Sequence, residues 1–459
     1  MQPWADVLAG TFFTPLFPAS TAAQRERAWN ILDPIASLDG AVAAVVRAWR
    51  LPLREQLRRT PAAFQPLLLS SHAVDGEATL DCASAAALSG AGAMQAVHGV
   101  HSLTLDMYPL AEYLPSVSDH AAAVPSIAAA LTALPALRKF KVWRGSVAGA
   151  AYVSGLVPVL SRLPQLAHLD LQYSAIDAAA LAPPLAGLTA FTALNLDGND
   201  FGAAGAAAIA PALSRLSRLA ALSLLAIGAA GAAALAPAAA QLTALTALNL
   251  AMNKLGASGA DALAPALRPL RKLARLDLEG NDVRDAGAAA LAPPLGGLTA
   301  LTALNLGQNR VGADGAAALA PALSRLSRLE HLTLYWNSVG AAGAAALAPA
   351  LGRLSMLARL ELSHNSIGDH GAVALAAALG AMTALTHLDL NENWMQDEGA
   401  RAVAAALEHA PALRRLLLRT GRDHGHGVTE SGEAALRAAL PASVWNARDM
   451  HSESYNEGI

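Results

Sequence analysis

Nine side chains in the C-terminal half combine residue types that take part in recognition: His331, Tyr335, Trp336, Arg359, Glu361, His364, His387, Asp389 and Trp394. Tyr, Trp and Arg anchor protein interfaces more often than other residues. The chain has only 7 Trp and 6 Tyr among its 459 residues, so three such aromatics within 60 positions form a concentrated group. His331, Glu361, His364, His387 and Asp389 are also metal-ligand types. None of them pairs at the i, i+4 spacing of a helical site or in a zinc pattern, so no metal is expected. The chain has no nucleophile elbow, phosphate loop or dinucleotide motif, and hence no catalytic residue or cofactor is expected. The chemistry these residues suit is contact with another protein. For Trp336 and Trp394 there is an alternative: both could lean over a turn and cover its rim.

Two smaller clusters also carry charge. Arg138, Lys139, Lys141 and Arg144 flank Trp143, either as a patch for an acidic partner or as a polar cap. His424 and His426, in Gly-Arg-Asp-His-Gly-His-Gly, suit a solvated loop.

What positions the nine residues is a repeat. The segment LARLDLEGNDVRDAGAAALAPPL and its neighbours share L-x-x-L-x-L-x-x-N-x-φ-G-x-x-G-A-x-A-L-A-P-x-L, where φ is apolar. Leu248, Leu276, Leu304, Leu332, Leu360, Leu388 and Leu416 recur every 28 residues, a signature of stacked units. Leu222, Leu194 and Leu169 continue the series backward, and Phe140 and Leu103 do so more faintly. Alternation in Leu276-Asp277-Leu278 predicts a short strand, and the following apolar spacing of three and four predicts a helix. One such unit cannot bury its leucines alone. Stacking gives a continuous core and a parallel sheet. Asn199, Asn253, Asn281, Asn309, Asn337, Asn365 and Asn393 fall where the chain leaves each strand, and their amides suit unpaired turn backbone. Prolines at 211, 237, 265, 321 and 349, doubled at 183–184 and 293–294, predict short, kinked or two-part helices.

The 28-residue unit, the L-x-x-L-x-L-x-x-N strand signature and the long helical half resemble ribonuclease-inhibitor-like leucine-rich repeats over roughly residues 100–440. The G-A-x-A-L-A run also looks like certain plant-pathogen effectors and algal repeat proteins. The resemblance implies an α/β solenoid, a curved horseshoe with a parallel β-sheet on the concave face and helices on the convex face, used mainly for protein recognition. The subfamily also includes innate immune sensor domains and GTPase-activating proteins. Two units depart from the pattern. LAALSLLAIGAAGAAALAPAA is two residues short, with Ile227 near the asparagine's place and an irregularity expected at Leu225 to Gly228. LAHLDLQYSAIDAAALAPPL has Ser174 for asparagine.

Alternation places one row of side chains on the open face: Asp170, Asn195, Ser223, Asn249, Asp277, Asn305, Thr333, Glu361 and Asp389. Beside it run His168, Arg275, His331, Arg359, His387 and Arg415, one strand position earlier. Gln172, Glu279, Tyr335, Ser363 and Asn391 lie two positions later. The middle is bland, with Ala247, Ala251, Ala303 and Gly307.

Composition narrows the function classes. Hydrophobic residues make up 54% but aromatics 4%, so the core is alanine and leucine in thin layers. A net charge of −3 is too weak a field to draw the chain onto nucleic acid or an anionic membrane. A single cysteine, Cys82, excludes an intramolecular disulfide and suggests a reducing, cytoplasmic setting. Pro15 and Pro18 interrupt the first apolar stretch, which also lacks preceding basic residues, so no secretory signal is expected. The organisation reads as an N-terminal helical cap at 1–70, divergent leading repeats at 71–165, regular repeats at 166–440 and a tail at 441–459. In the cap, Leu32-Asp33-Pro34, Val45-Val46 and Ala48-Trp49-Arg50 loosely resemble the F-box, without its leading Leu-Pro. Three functions compete: a scaffold binding one or more proteins with no small-molecule substrate, an F-box-like substrate receptor of a ubiquitin ligase, and a GTPase-activating protein. The mixed tail ASVWNARDMHSESYNEGI speaks against the third.

Overall fold

The computed structural model describes residues 77–81, 101–106, 136–143, 150–418 and 427–445, with 128, 131 and 134 in addition and 164 and 409 excepted. The proposed cap at 1–70, Cys82, Arg144, His424, His426 and the end of the tail lie outside the described residues. The chain forms two compact units, one reaching Phe201 and including Pro211–Leu219, the other comprising Gly202–Ala210 and Ala220 onward.

In the first unit, strands β1 (Glu77–Asp81), β2 (Ser102–Asp106), β3 (Lys139–Trp143), β4 (His168–Asp170) and β5 (Ala193–Asn195) pair in chain order, all parallel. The faint positions are in register: Leu103 pairs with Phe140, and Phe140 with Leu169. Helices α1 (Ala150–Leu160) and α2 (Ala178–Gly187) separate the later strands. Helix α3 (Gly202–Leu213) follows β5.

The second unit repeats one motif. Strands β6 (Ala221–Ser223), β7 (Ala247–Asn249), β8 (Arg275–Asp277), β9 (Ala303–Asn305), β10 (His331–Thr333), β11 (Arg359–Glu361), β12 (His387–Asp389) and β13 (Arg415–Leu417) pair in parallel, the central leucines opposite one another throughout. Between them run α4 (Gly228–Ala239), α5 (Gly256–Leu267), α6 (Arg284–Leu295), α7 (Ala313–Leu323), α8 (Gly340–Leu351), α9 (Gly368–Ala381) and α10 (Asp397–Leu407), with α11 (Glu430–Ala439) last. Each helix packs on the next, and the central leucines of helices and strands alike are buried. This is an α/β leucine-rich-repeat solenoid. Adjacent helices come close because their fourth residue is small. At Gly287 an added Cβ would stand 3.1 Å from Ala257 Cα and 2.7 Å from Val283 Cγ1.

The ladder asparagines are buried and span neighbouring repeats. Asn281 Nδ2 donates to the Leu250 and Leu278 carbonyls at 2.8 and 2.9 Å, while its Oδ1 accepts from Asn253 N and Leu255 N at 3.0 and 3.4 Å. The short repeat differs from its expected reading. Ile227 N donates to Asn253 Oδ1 as Leu255 N does to Asn281 Oδ1, and Gly228 and Gly256 likewise match in donating to an asparagine carbonyl. Ile227 therefore fills the buried apolar position, and the two missing residues are the asparagine and the residue before it.

The prolines do not split the helices. Pro211, Pro237, Pro265, Pro321 and Pro349 each lie within the last three residues of one continuous, 11- or 12-residue helix. All five side chains face solvent, so the helical bond lost four residues back is lost on a water-accessible face.

Two ways of beginning a helix recur in the second unit, and α6 follows the first with Arg284, at φ 59°, in place of glycine. Gly228, Gly256, Gly340 and Gly368 start theirs at φ 60 to 71°, the left-handed region open to glycine, and donate N–H to the next repeat's asparagine carbonyl. At α7, α10 and α11 an aspartate from the preceding repeat caps the helix. Asp285 Oδ1 accepts from Gly312 N and Gly315 N at 2.6 and 3.0 Å, and Asp369 Oδ1 accepts from Gln396 N and Gly399 N at 2.7 and 2.8 Å. There Gly312 and Gln396 are extended, with φ −93° and −114°. Asp397 caps α11 through Thr429 in the same manner.

Candidate recognition surface

The open face of the second unit carries three rows of side chains, because only the central leucine of each strand turns toward the helices. The first row holds Arg275, His331, Arg359, His387 and Arg415. The second holds Asp277, Asn305, Thr333, Glu361 and Asp389, one per strand in register. The third follows the strands and holds Glu279, Gly307, Tyr335, Ser363 and Asn391.

Much of the second row has a structural duty. Oδ1 of Asp277, Asn305 and Asp389 accepts the N–H two residues on at 2.9 Å, as Asn249 also does, and Asp170 and Asn195 do the same in the first unit. This side-chain turn ends each strand and suits aspartate and asparagine alike. Thr333 and Glu361 break the series: Thr333 Oγ1 donates to Glu361 Oε2 at 3.3 Å, and Arg359 Nη1 approaches Glu361 Oε1 at 3.8 Å.

Burial raises the carboxylates of this row. Asp389, 9% exposed, is pushed up to about 6, chiefly by desolvation; bonds from Asn391 N and Ser363 oppose the rise, Glu361 adds to it and Arg415 opposes it. Glu361 is raised by burial against the pull of Arg359 and Thr333. Asp277 is also raised by burial. In the first row His331 is held below its usual range by burial and then by Arg359, so its ring is neutral near pH 7.

Tyr335 is not a presented side chain. Only 9% exposed, its ring lies over Gly307, where an added Cβ would be 2.5 Å from the ring. Its hydroxyl donates to Glu279, which also accepts from Asn305 Nδ2 and Gln308 Nε2, each at 2.9 Å. This closed network spans repeats, and the glycine one repeat back from Tyr335 was its sequence signal.

Trp336 and Trp394 do stand out, at 55% and 66% exposed. They belong to the turns beyond the strands, immediately before Asn337 and immediately after Asn393. Trp336 shares its row with Met252, Gly280, Gln308, His364 and Glu392, all at φ between 51 and 65°. Its ring stacks on His364, with centroids 4.3 Å apart and planes 21° from parallel. His364 is lowered by burial, opposed by Glu392. Trp394, at φ 56°, occupies the row of Lys254, Asp282, Arg310 and Ser366. The structure thus stacks Trp336 on His364, sets Glu361 opposite Asp389 and Arg359 opposite His387 on adjacent strands, turns Tyr335 inward and places Trp394 in a separate row. Sequence reading missed Met252, which lies exposed over Gly280; Asn391, which it placed on the open face, has an Oδ1 buried without a hydrogen-bond partner. The basic patch of the first unit is partly committed: Lys141 pairs with Asp170 at 3.0 Å, and His168 is lowered by burial and by Lys139.

Among the described residues no cluster of three or more His, Cys, Asp or Glu could hold a metal, and no helix is long and apolar enough to cross a membrane. Stacked strand-turn-helix units joined by buried asparagines, with an uncovered sheet face, define a repeat solenoid built to display side chains. Six of its segments, residues 188–210, 241–264, 270–292, 297–320, 353–376 and 381–404, match the Leucine Rich repeat family. No curated protein matches the sequence. Among solved structures the chain is similar to an internalin from Listeria monocytogenes str. 4b F2365, at 21% identity over 67% of this chain and 80% of that one, with a TM-score of 0.45.

Proposed function

We propose that the chain is a non-enzymatic recognition module that holds another protein against the sheet face of its second unit, around Trp336, His364, Glu361, Asp389 and Trp394. The observation that supports this reading is the placement of the two tryptophans. A bulky residue at positive φ is strained, by about 1 kcal/mol or more, and a ring more than half exposed recovers little of that by burial. Glycine holds the place equivalent to Trp336 at Gly280, and serine that of Trp394 at Ser366, so the fold requires neither ring. Exposed aromatics that stability does not need are the usual anchors of an interface.

Cross-linking and affinity capture with the intact chain, compared with Trp336→Gly/Trp394→Ser, tests this. Both replacements suit the local backbone and leave the thermal midpoint within about 3 °C, the size expected of surface substitutions. Partners lost with the variant support the reading. A full partner set retained by a folded variant moves recognition away from this face.

A further inference from the structure

We propose that the edge of the second unit where its strands begin is a separate docking surface, which takes an acidic segment of a protein, a run of Asp and Glu, across Arg268, Arg271, Lys272, Arg325, Arg328 and Arg353. It lies apart from the strand-end turns that carry Trp336 and Trp394 and does not depend on the role given to them.

The strands are parallel, so every helix-to-strand loop falls on one edge of the sheet and every strand-to-helix turn on the other. The weak net charge of the chain hides a division between those edges. Of the four successive loops 268–274, 296–302, 324–330 and 352–358, three carry the six basic side chains, all exposed, and the one acid in the four is Glu330. Among the described residues none of the six makes an ion pair. On the opposite edge Asp285, Asp369 and Asp397 cap helices, and Asp282 pairs with Arg284 and Arg310, which leaves a second copy of this chain few carboxylates to offer.

The fold does not require these charges. Basic residues beyond a helix end answer the helix dipole, yet loops 296–302 and 380–386 fill the same place after α6 and α9 with no charge at all. The uncharged loop 296–302 is where the rim closes up. Its Gly296 and Gly297 lie beneath arms from the layers on either side. Arg271 Nη1 donates to the Gly297 carbonyl at 2.5 Å, and a Cβ added to Gly297 would stand 2.5 Å from that nitrogen. A Cβ added to Gly296 would stand 3.4 Å from Arg325 Cδ. Two guanidinium arms thus border one bare stretch of backbone, and Arg271 keeps further N–H donors for a ligand.

The chemistry of the rim selects an acidic peptide among anions. All of its basic residues but Lys272 are arginine, whose planar fork meets both oxygens of a carboxylate. The four loops contain no Phe, Tyr or Trp on which a nucleobase could stack. Met356 is the one large apolar side chain exposed in them, which gives a bilayer little to bury. From the loop before β8 to the loop before β11 the rim extends about 15 Å at the strands and up to about 30 Å at the helices, a reach that an extended segment of roughly five to nine residues spans.

The test titrates the full chain with fluorescein-labelled (Glu-Gly)5 and its uncharged counterpart (Gln-Gly)5, following anisotropy at pH 7.5, with hexathymidylate, of equal charge, and phosphatidylserine vesicles measured alongside. The glutamate peptide is expected to bind at least about tenfold more tightly than the glutamine peptide, and to lose about tenfold between about 50 and 200 mM salt. Arg271→Gln/Arg325→Gln lowers its affinity about tenfold, and Gly297→Ala, which keeps every charge but displaces the Arg271 arm, lowers it about threefold. Trp336→Gly/Trp394→Ser leaves it unchanged, so that failure of the rim and failure of the tryptophan face are told apart. Equal binding of both peptides, or binding of neither, overturns the proposal. A preference that survives Arg271→Gln/Arg325→Gln, or that is lost with the tryptophans, overturns it by placing the acidic peptide elsewhere. Affinity untouched by Gly297→Ala overturns the seat over Gly296 and Gly297. Tighter binding of hexathymidylate or of the vesicles than of the glutamate peptide overturns the peptide in favour of nucleic acid or a membrane.

Discussion

At the scale of single residues, side chains here serve backbone geometry before anything else. Asn309 accepts from Asn281 N and Val283 N through Oδ1 and donates to the Leu278 and Gly307 carbonyls. Replacing it with alanine strands buried backbone groups in two repeats, and urea unfolding should show a loss of about 3 kcal/mol. Asp389 behaves in the opposite sense. Its carboxyl is raised in the folded state, so the proton it holds stabilises the fold below about pH 4, and that contribution is lost as pH rises through about 6. Asp389→Asn keeps the turn and removes the charge. It should stabilise the protein by about 2 kcal/mol at pH 7.5 and change it little at pH 4, a difference read from denaturant midpoints at the two pH values.

At the scale of elements, the two ways of starting a helix make unequal demands. Asp369→Ala removes the cap of α10 and leaves Gln396 extended, with no glycine to offer the other start; a loss of about 1 to 2 kcal/mol is expected. Asp285→Ala removes the same cap from α7, but Gly312 can swing into the left-handed conformation used by Gly340, so the loss should be less than half as large. Comparing the two variants by chemical denaturation checks this. The strands, the helices and the leucine register were legible in the sequence because period 28 repeats them so often. The left-handed row was not, since Met252, Gln308, Trp336 and His364 share no side-chain property that announces a positive φ. Tyr335 misled for a different reason: its cover over Gly307 depends on a contact one repeat away, which alternation along a strand does not encode. The prolines misled because removing one helical bond matters little on a wet face near a helix end.

At the scale of the molecule, a solenoid is only as uniform as its layers. In the second unit each layer holds its neighbours through the asparagine relay and helix packing, so stability sums over nearest neighbours. The repeat at Leu222 has no ladder asparagine of its own. Native-state hydrogen exchange should find the amides of Leu224 to Ile227 opening more readily than those of Leu278 to Val283, which sit between two complete rungs. Equal protection would show that helix packing, rather than the asparagine relay, sets local stability.

The aspartate caps carry a consequence for how such an array can be rearranged. Asp285, Asp369 and Asp397 each reach forward, from the first or second residue of one helix to the start of the next. A repeat lifted out between its strand boundaries takes its forward-reaching cap with it and loses the one supplied from behind. Placed after an alanine-type repeat, the Gln396 layer would begin its helix with neither cap nor glycine. The unit that can be exchanged without injury therefore runs from the helix of one layer through the turn of the next. Grafting or duplicating recognition surfaces on this scaffold should respect that offset frame rather than the leucine-to-leucine period.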